Sequence, residues 1–236
     1  MSQHAAQPYA VGPPYAVAPR VPEGLAMTAL VLASVYTVVE VLLFLTSFGA
    51  AETYGDAARQ GTDVANLLTT YDVVGIGYVV LLPLWVVTGL FLQRARRRAA
   101  ALSPGFRHQR SPVWTWLGWP VPVVGLWFPY QVVRDIVRNA WRDPWGDQRQ
   151  RLHLGLWWAT WVVALVAGQV SSRLIPWSGT PDAAAVARLP LFHGITAVAT
   201  VAGLVLWVRI VNSLLHALKT PPDVSDVTLP GDVTHQ

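Results

Sequence analysis

Glu40 is the residue whose type and position most directly suggest chemistry, because it interrupts an apolar run from Leu25 to Phe48. A carboxyl group inside such a run costs about 2.5–3.5 kcal/mol to insert into a bilayer, so it tends to face protein or water. At about 1.5 Å per residue, Glu40 lies roughly 12 Å from the end of the run. Gln169 should lie at a similar depth and His193 nearer the surface.

Two interpretations of Glu40 stay open at this point. In the first, Glu40, Gln169 and His193 form a polar pocket or a proton site. In the second, a protonated Glu40 is hydrogen-bonded between helices. The sequence favours the second, because a proton relay usually strings several ionisable groups across the membrane.

Other signs of catalytic or metal chemistry are missing from the sequence. The six histidines include no pair spaced three or four residues apart, and the motifs of metalloproteases, serine hydrolases and phosphate-binding loops do not occur. The chain has no cysteine, which excludes disulfides, thiolate metal sites and cysteine nucleophiles. We therefore expect no enzymatic activity, no metal and no cofactor.

The elements that must position these residues are apolar helices. The chain is 53% hydrophobic and only 13% charged, against about 25% charged in soluble domains. Runs long enough to cross a bilayer as helices cover residues 25–48, 73–92, 154–173 and 191–215. The predicted fold is an all-α integral membrane domain over residues 23–218, between a disordered Pro-rich tail (1–22) and a polar tail (219–236).

The arginines predict the orientation of these spans. Region 93–151 holds eleven arginines, whereas loops 49–71 and 173–190 together hold three. Basic residues near span ends favour the cytoplasm. We expect a multi-pass protein of the inner cell membrane with both termini inside. Arg94, Arg96, Arg97 and Arg98 would set this topology and bind anionic lipid headgroups, or, in a sharper interpretation, dock an acidic protein; a nucleic-acid partner is not expected.

A Trp/Pro-rich segment, residues 113–130, lies between two of these arginine groups. Pro120 and Pro122 each remove a helix donor, and unpaired backbone in lipid is costly. We predict a re-entrant or interfacial segment that returns to the cytoplasmic side, with a kinked fifth span as the alternative.

The pattern of the following residues, 131–142, predicts an amphipathic helix with a basic polar face. Such a helix would lie in the plane of the lipid headgroups. Nine of the twelve tryptophans lie between residues 114 and 161. Trp prefers the membrane interface. The predicted interface and interaction surface comprises Trp114, Trp119, Pro120, Pro122, Trp127, Pro129, Tyr130, Arg134, Arg138 and Trp141.

Small residues on the last two spans predict close helix packing. They recur every four residues, at Thr160, Ala164, Gly168 and Ser172 on the third span and at Ala199 and Gly203 on the fourth. Packing within one chain is favoured over a homo-oligomer interface.

The middle of the chain resembles a known family. Its features are Ser111-Pro112-x-Trp114, Trp119-Pro120-x-Pro122, Trp127-Phe128-Pro129-Tyr130 and the stretch QVVRDIVRNAW after it. Together they resemble the DUF4328 domain of actinobacterial membrane proteins, over about residues 20–220. The chain departs from that family at Arg98-Ala99-Ala100, where Asn often follows the basic cluster. The resemblance implies a multi-span membrane domain of unknown function and supplies no catalytic residues.

Two functions fit these observations. The leading expectation is a non-enzymatic interaction or assembly module, whose partners are the lipid bilayer, anionic headgroups and an unidentified membrane or cytoplasmic protein. The alternative is a small transporter or channel-like protein that uses the broken segment 113–130 and Glu40.

Overall fold

The computed structural model describes residues 19–103, 106, 108–119, 123–142 and 152–220, and their secondary structure is helical. The α-helices are α1 (Glu23–Gln60), α2 (Thr70–Gly75), α3 (Leu81–Leu102), α4 (Trp114–Leu117), α5 (Phe128–Trp141), α6 (Leu154–Ser171), α7 (Ala183–Val186) and α8 (Leu189–Lys219). Short 3-10 helices occur at Val64–Asn66, Ile76–Val80 and Val124–Leu126. The predicted tails fall mainly outside the described residues.

Four helical stretches are long and apolar enough to cross a membrane. They are Glu23–Gln60, Thr70–Leu102, Leu154–Ser171 and Ala183–Lys219. They expose large apolar side chains, such as Met27, Val79 and Val198, which a soluble protein would bury. The prediction of four apolar helices is confirmed, and together these helices indicate a membrane protein.

α1 extends beyond its predicted span and turns part of the expected loop into helix. The extension, residues 49–60, contains four alanines, the residue that most favours a helix, and the helix ends where Gly61 adopts a left-handed conformation with φ 67°. The polar residues of this extension therefore lie on a rigid helix above the apolar run.

The second long stretch is interrupted near its middle. Thr69 and Asp72 form a capping box that begins α2, and the 3-10 helix Ile76–Val80 joins α2 to α3. Pro83, in the first turn of α3, has no N–H to donate, and its ring crowds the carbonyl four residues earlier, at Val79. This local constraint accounts for the tighter helix that precedes it.

The long helices are neighbours in the order α3, α1, α8, α6. Arg98 donates to the backbone oxygens of Leu218 (3.3 Å) and Pro19 (3.0 Å), and Lys219 lies 3.1 Å from Glu23. These contacts bring the start of α1 and the ends of α3 and α8 together at what we call the arginine end. At the opposite end, the loop end, the Val64 N–H donates to the Gly179 carbonyl (3.0 Å).

α5 closes the arginine end rather than lying bare on it. Its apolar residues Val133, Ile136 and Val137 are buried against α3, α6 and α8, as the predicted amphipathic pattern requires. Its polar face is also covered, because Asp135 and Asn139 are almost fully buried. The expectation of a polar face open to headgroups is therefore wrong for these two positions.

α6 and α8 approach closely at small residues. A Cβ atom at Gly203 would lie 3.0 Å from the Thr160 hydroxyl oxygen. The buried residues of α6 are Leu154, Trp157, Ala164, Ala167 and Ser171. This spacing follows the helical period of 3.6 residues, so the inward face shifts away from Gly168 and Ser172 of the predicted four-residue repeat. Ser172 is exposed.

Candidate functional site

Glu40 lies on the inward face of α1. That face is formed by buried residues that recur at multiples of about one helical turn, which are Ala26, Ala29, Thr37, Glu40, Leu43, Ser47, Ala50, Tyr54 and Ala57. Glu40 is only 1% exposed, and its Oε2 atom is buried with no hydrogen-bond partner among the described residues. The sequence therefore places a carboxyl group inside the bundle, where both its charge and its hydrogen bonds need compensation.

Two tyrosines stand beside the Glu40 carboxyl group. The side chains of Tyr36, one turn earlier on α1, and Tyr78, on the 3-10 helix, lie close to this carboxyl group. Their ring centroids are 6.3 Å apart. Gly77 permits this approach, because a Cβ atom there would lie 2.8 Å from the Val39 side chain. The absence of a side chain at one residue thus brings Tyr78 to Glu40.

His193 and Tyr71 form the next part of the cluster. The Tyr71 hydroxyl lies 2.8 Å from His193 Nε2, and the two rings meet edge to face with centroids 5.2 Å apart. His193 is 2% exposed, and its Nδ1 is buried without a hydrogen-bond partner among the described residues. A second buried titratable group therefore lies between α8 and the stretch that carries Tyr78.

Asp72 extends the polar groups to the loop end. Its Oδ2 accepts hydrogen bonds from the Tyr54 hydroxyl (2.6 Å) and from the Thr69 backbone and hydroxyl (both 2.7 Å). Tyr54 and Asp72 line an open cavity of about 360 Å³. The other lining residues are Val64, Ala65, Leu67, Tyr71, Ser171, Ser172, Ile175, Pro176 and Trp177.

The predicted cluster of Glu40, Gln169 and His193 is thus rearranged. The structure buries Glu40 and His193 within the bundle, but the Gln169 side chain is exposed on α6. The Gln169 side chain points away from the inward face of the bundle, a direction that depth along the helix does not determine. Tyr36, Tyr71 and Tyr78 take the place that the prediction gave to Gln169.

The described part of the Trp/Pro segment packs inward between α3 and α6. Trp85 of α3 donates to the Trp116 backbone oxygen (3.1 Å), and a Cβ atom at Gly89 would lie 2.7 Å from the Trp116 ring. On the other side, the Trp119 and Trp161 rings meet edge to face at 5.6 Å. Pro120 and Pro122 lie outside the described residues.

The other residues of the predicted interaction surface divide between inside and outside. Trp114 packs on Phe128 (4.5 Å between centroids), and Trp141 donates to the Ser213 hydroxyl (3.2 Å). Pro129 is buried and Tyr130 half-buried, whereas Trp127 is 42% exposed. Arg134 binds Asp135 at 3.2 Å and also the side chain of Gln109, while Arg138 is partly buried.

The four arginines at the end of α3 have different surroundings. Arg96 donates to the Arg110 backbone oxygen (2.6 Å), and Arg98 bridges the ends of α1 and α8 as described above. Arg94 and Arg97 are exposed. Two of the four arginines of the predicted lipid anchor, Arg94 and Arg97, therefore point outward, whereas Arg96 and Arg98 bind backbone oxygens of the protein.

His108 covers the polar face of α5. Its Nε2 lies 3.3 Å from the Asn139 amide nitrogen, and the neighbouring Gln109 N–H donates to Asp135 Oδ2 (2.8 Å). Burial, together with the positive charge of Arg96, lowers the pKa of His108 to about 4. The imidazole is therefore neutral at physiological pH and serves as a hydrogen-bonding group in this cover.

The fold and the buried polar cluster together define a class: a helical membrane protein with four long apolar helices and ionisable side chains enclosed between them. A family model described as "Domain of unknown function (DUF4328)" matches residues 55–215, and the chain belongs to this family. Comparison with curated proteins and with solved structures found no match.

Proposed function

We propose that the chain is a small proton-linked membrane transporter, without enzymatic activity, whose proton site is Glu40. The observation that carries this proposal is a carboxyl group 1% exposed, with an unpartnered Oε2 among the described residues. An ionisable group inside a bundle is costly and commonly marks an ion or proton path. Tyr36 and Tyr78 suit both protonation states, because a hydroxyl donates to a carboxylate and accepts from a carboxylic acid.

The polar groups around Glu40 extend in one direction, which supports access from the loop end. Tyr71 and His193, then Tyr54 and Asp72, continue from Glu40 to the open cavity. On the arginine side of Glu40, the inward face of α1 carries Thr37, whose hydroxyl donates to the Ala33 carbonyl (2.9 Å), followed by Ala29 and Ala26. A proton would enter from the loop end and stop at Glu40 until the helices rearrange.

The 3-10 helix Ile76–Val80 is the proposed moving part. It carries Tyr78, and 3-10 turns in the middle of a helix often mark hinges. A local change in the geometry of this 3-10 helix would rotate Tyr78 relative to Glu40 and alter the surroundings of the carboxyl group. This motion would connect the protonation of Glu40 to the packing of α3 against α1.

The proposed topology is a multi-pass inner-membrane protein with both termini in the cytoplasm and a re-entrant segment 113–130. Leu102, before this segment, and Leu152, after it, pack against the same core cluster. The segment also exposes apolar residues that suit lipid, namely Val113, Leu117, Val123, Leu126 and Trp127. With the arginine end inside, the cavity opens to the outer surface.

Proton movement through Glu40 can be tested in proteoliposomes. An imposed membrane potential should drive protons across vesicles that contain the wild-type chain, as reported by a pH-sensitive dye in the lumen. Glu40→Gln should abolish this movement, because the amide does not titrate. Glu52→Gln is the matched control, since Glu52 is an exposed acid on the same helix. Equal proton movement in wild type and Glu40→Gln would overturn the assignment.

A second candidate function is the interaction or assembly module expected from the sequence. Exposed Arg94 and Arg97 at the arginine end favour it, because they are available to anionic headgroups or to an acidic partner. In-cell crosslinking of the wild type and of an Arg94→Gln/Arg97→Gln double variant would test it. Loss of a specific crosslinked protein in the variant, with proton movement unchanged, supports this second role.

A further inference from the structure

The cavity at the loop end has a composition that defines a ligand class. Three aromatic residues line it, Tyr54, Tyr71 and Trp177, and Asp72 is the charged residue among those that line it. Aromatic faces attract cations, and a carboxylate adds a full negative charge. Its volume of about 360 Å³ is within the range of small-molecule sites.

The hydroxyl groups of the cavity present acceptors rather than donors. Ser171 donates to the Gly168 carbonyl (3.0 Å) and Ser172 to the Gln169 carbonyl (3.0 Å), so each hydroxyl proton is already used. The Tyr54 hydroxyl donates to Asp72 Oδ2 (2.6 Å). The oxygen lone pairs of these groups are left to accept from a ligand.

Asp72 has acceptor capacity left as well. All three of its hydrogen bonds end on Oδ2, and Oδ1 takes no hydrogen bond from the described residues. A carboxylate oxygen beside acceptor hydroxyls is best satisfied by an N–H donor that carries a positive charge. A ligand with only hydrogen-bond acceptors would place its lone pairs against those of these oxygens and would form no hydrogen bond with them.

The rest of the cavity is apolar. Val64, Leu67 and Ile175 contribute aliphatic surface, and Trp177, which is 98% exposed, provides a large ring at the open side. We propose that the cavity binds a small amphipathic ammonium compound, with its charged nitrogen at Asp72 and its apolar body against these side chains.

Tyr71 connects this site to the buried cluster. Tyr71 is one of the residues that line the cavity, and its hydroxyl is hydrogen-bonded to His193. A ligand that contacts Tyr71 would therefore shift the hydrogen bond between Tyr71 and His193, which lies on the proposed path to Glu40. The ammonium compound would be the transported solute. That role rests on the proposed function, whereas the binding of the compound in the cavity does not depend on it.

Thiol labelling tests the proposed binding directly, since the native chain has no cysteine. The Ser172→Cys variant should react faster with a cationic methanethiosulfonate than with an anionic one of similar size. In water, one negative charge at about 5 Å speeds the cationic reagent roughly fourfold and slows the anionic one roughly fourfold, so the ratio of the two rates is about sixteen. This preference should be lost when Asp72→Asn is added to the Ser172→Cys variant, because that change removes the negative charge from the cavity lining.

Protection experiments identify the ligand class. Phenethylammonium should slow labelling of the Ser172→Cys variant, whereas the neutral 2-phenylethanol and the anionic 3-phenylpropionate should not. Asp72→Asn on this background keeps the shape of the side chain and should remove the protection. Equal protection by the ammonium and the alcohol, or preference for the anionic reagent, would overturn the assignment.

The same measurement separates the two proposals. In a Glu40→Gln background, the cavity is intact and protection by phenethylammonium should persist. Protection without any proton movement in the wild type would leave the binding site standing and refute the transport mechanism. Proton movement without protection would refute the ammonium site and leave the Glu40 assignment untouched.

Discussion

At the scale of single residues, the buried cluster depends on which way each side chain points. Glu40 and Tyr36 are four positions apart on one helix, so their shared face is readable in the sequence. Tyr78 and His193 reach the cluster only through tertiary packing. Gln169 was predicted from depth alone, and depth does not fix the angle around the helix axis.

His108 gives a pH prediction at this scale. The folded chain keeps its pKa near 4, whereas the ordinary value is 6.5. Between pH 6.5 and 4 the unfolded chain binds more protons, so the free energy of unfolding should fall as the pH is lowered through this window. Thermal unfolding in detergent at pH 7 and pH 5 measures the difference.

His108→Gln should reduce that pH dependence, because the amide retains a hydrogen-bonding group and does not titrate. The exposed His153, replaced by Gln, is the control and should leave the dependence as in wild type. An unchanged pH dependence in His108→Gln would show that other groups cause it.

At the scale of elements, two glycines determine how helices meet. Gly77 lets the 3-10 helix approach α1, and Gly89 receives the Trp116 ring. The sequence offers no direct signal for either role, because a glycine in an apolar run is equally compatible with a lipid-facing position. The mid-helix 3-10 turn, in contrast, follows from Pro83 and could be anticipated from the sequence.

Gly77→Ala should destabilise the fold by about 1–3 kcal/mol, the usual cost of overpacking, and move Tyr78 from Glu40. Gly75→Ala is the matched control, since a Cβ atom there meets nothing within 4 Å. The control should be neutral or slightly stabilising because alanine favours the helix. Unfolding midpoints in detergent would compare the two, and equal effects would disprove the contact.

Gly89→Ala should loosen the Trp/Pro segment from α3. The added Cβ would lie 2.7 Å from the Trp116 ring, so the ring must move. Proteolysis within segment 113–130 should become faster than in wild type. Gly168→Ala, at a helical position with nothing within 4 Å, should leave the rate unchanged; similar acceleration in both variants would count against docking on Gly89.

At the scale of the whole molecule, composition and apolar runs predicted the four long helices well, because each run is close to the length of a span. The helix ends were harder, since α1 continues into polar residues that still favour helix. The burial of the polar face of α5 beneath His108 and Gln109 was not predictable, because an amphipathic pattern is the same whether its polar face meets water, headgroups or a loop.

Single-cysteine labelling of intact cells should test the proposed topology. Variants Thr62→Cys and Thr180→Cys should react with a membrane-impermeant thiol reagent, because the loop end is proposed to face outward. Ser103→Cys and Gln148→Cys should be protected until lysis. If one of Ser103→Cys and Gln148→Cys were labelled in intact cells and the other protected, segment 113–130 would cross the membrane.

The position of Glu40 has an electrical consequence. A proton that reaches it from the loop end would cross roughly 12 Å of a hydrocarbon core of about 30 Å. It would therefore move through roughly two-fifths of the transmembrane voltage, equivalent to about 0.9 kcal/mol per 100 mV. An inside-negative potential would draw protons onto Glu40. In an energised cell, Glu40 would therefore bind a proton at a higher external pH than in a depolarised cell.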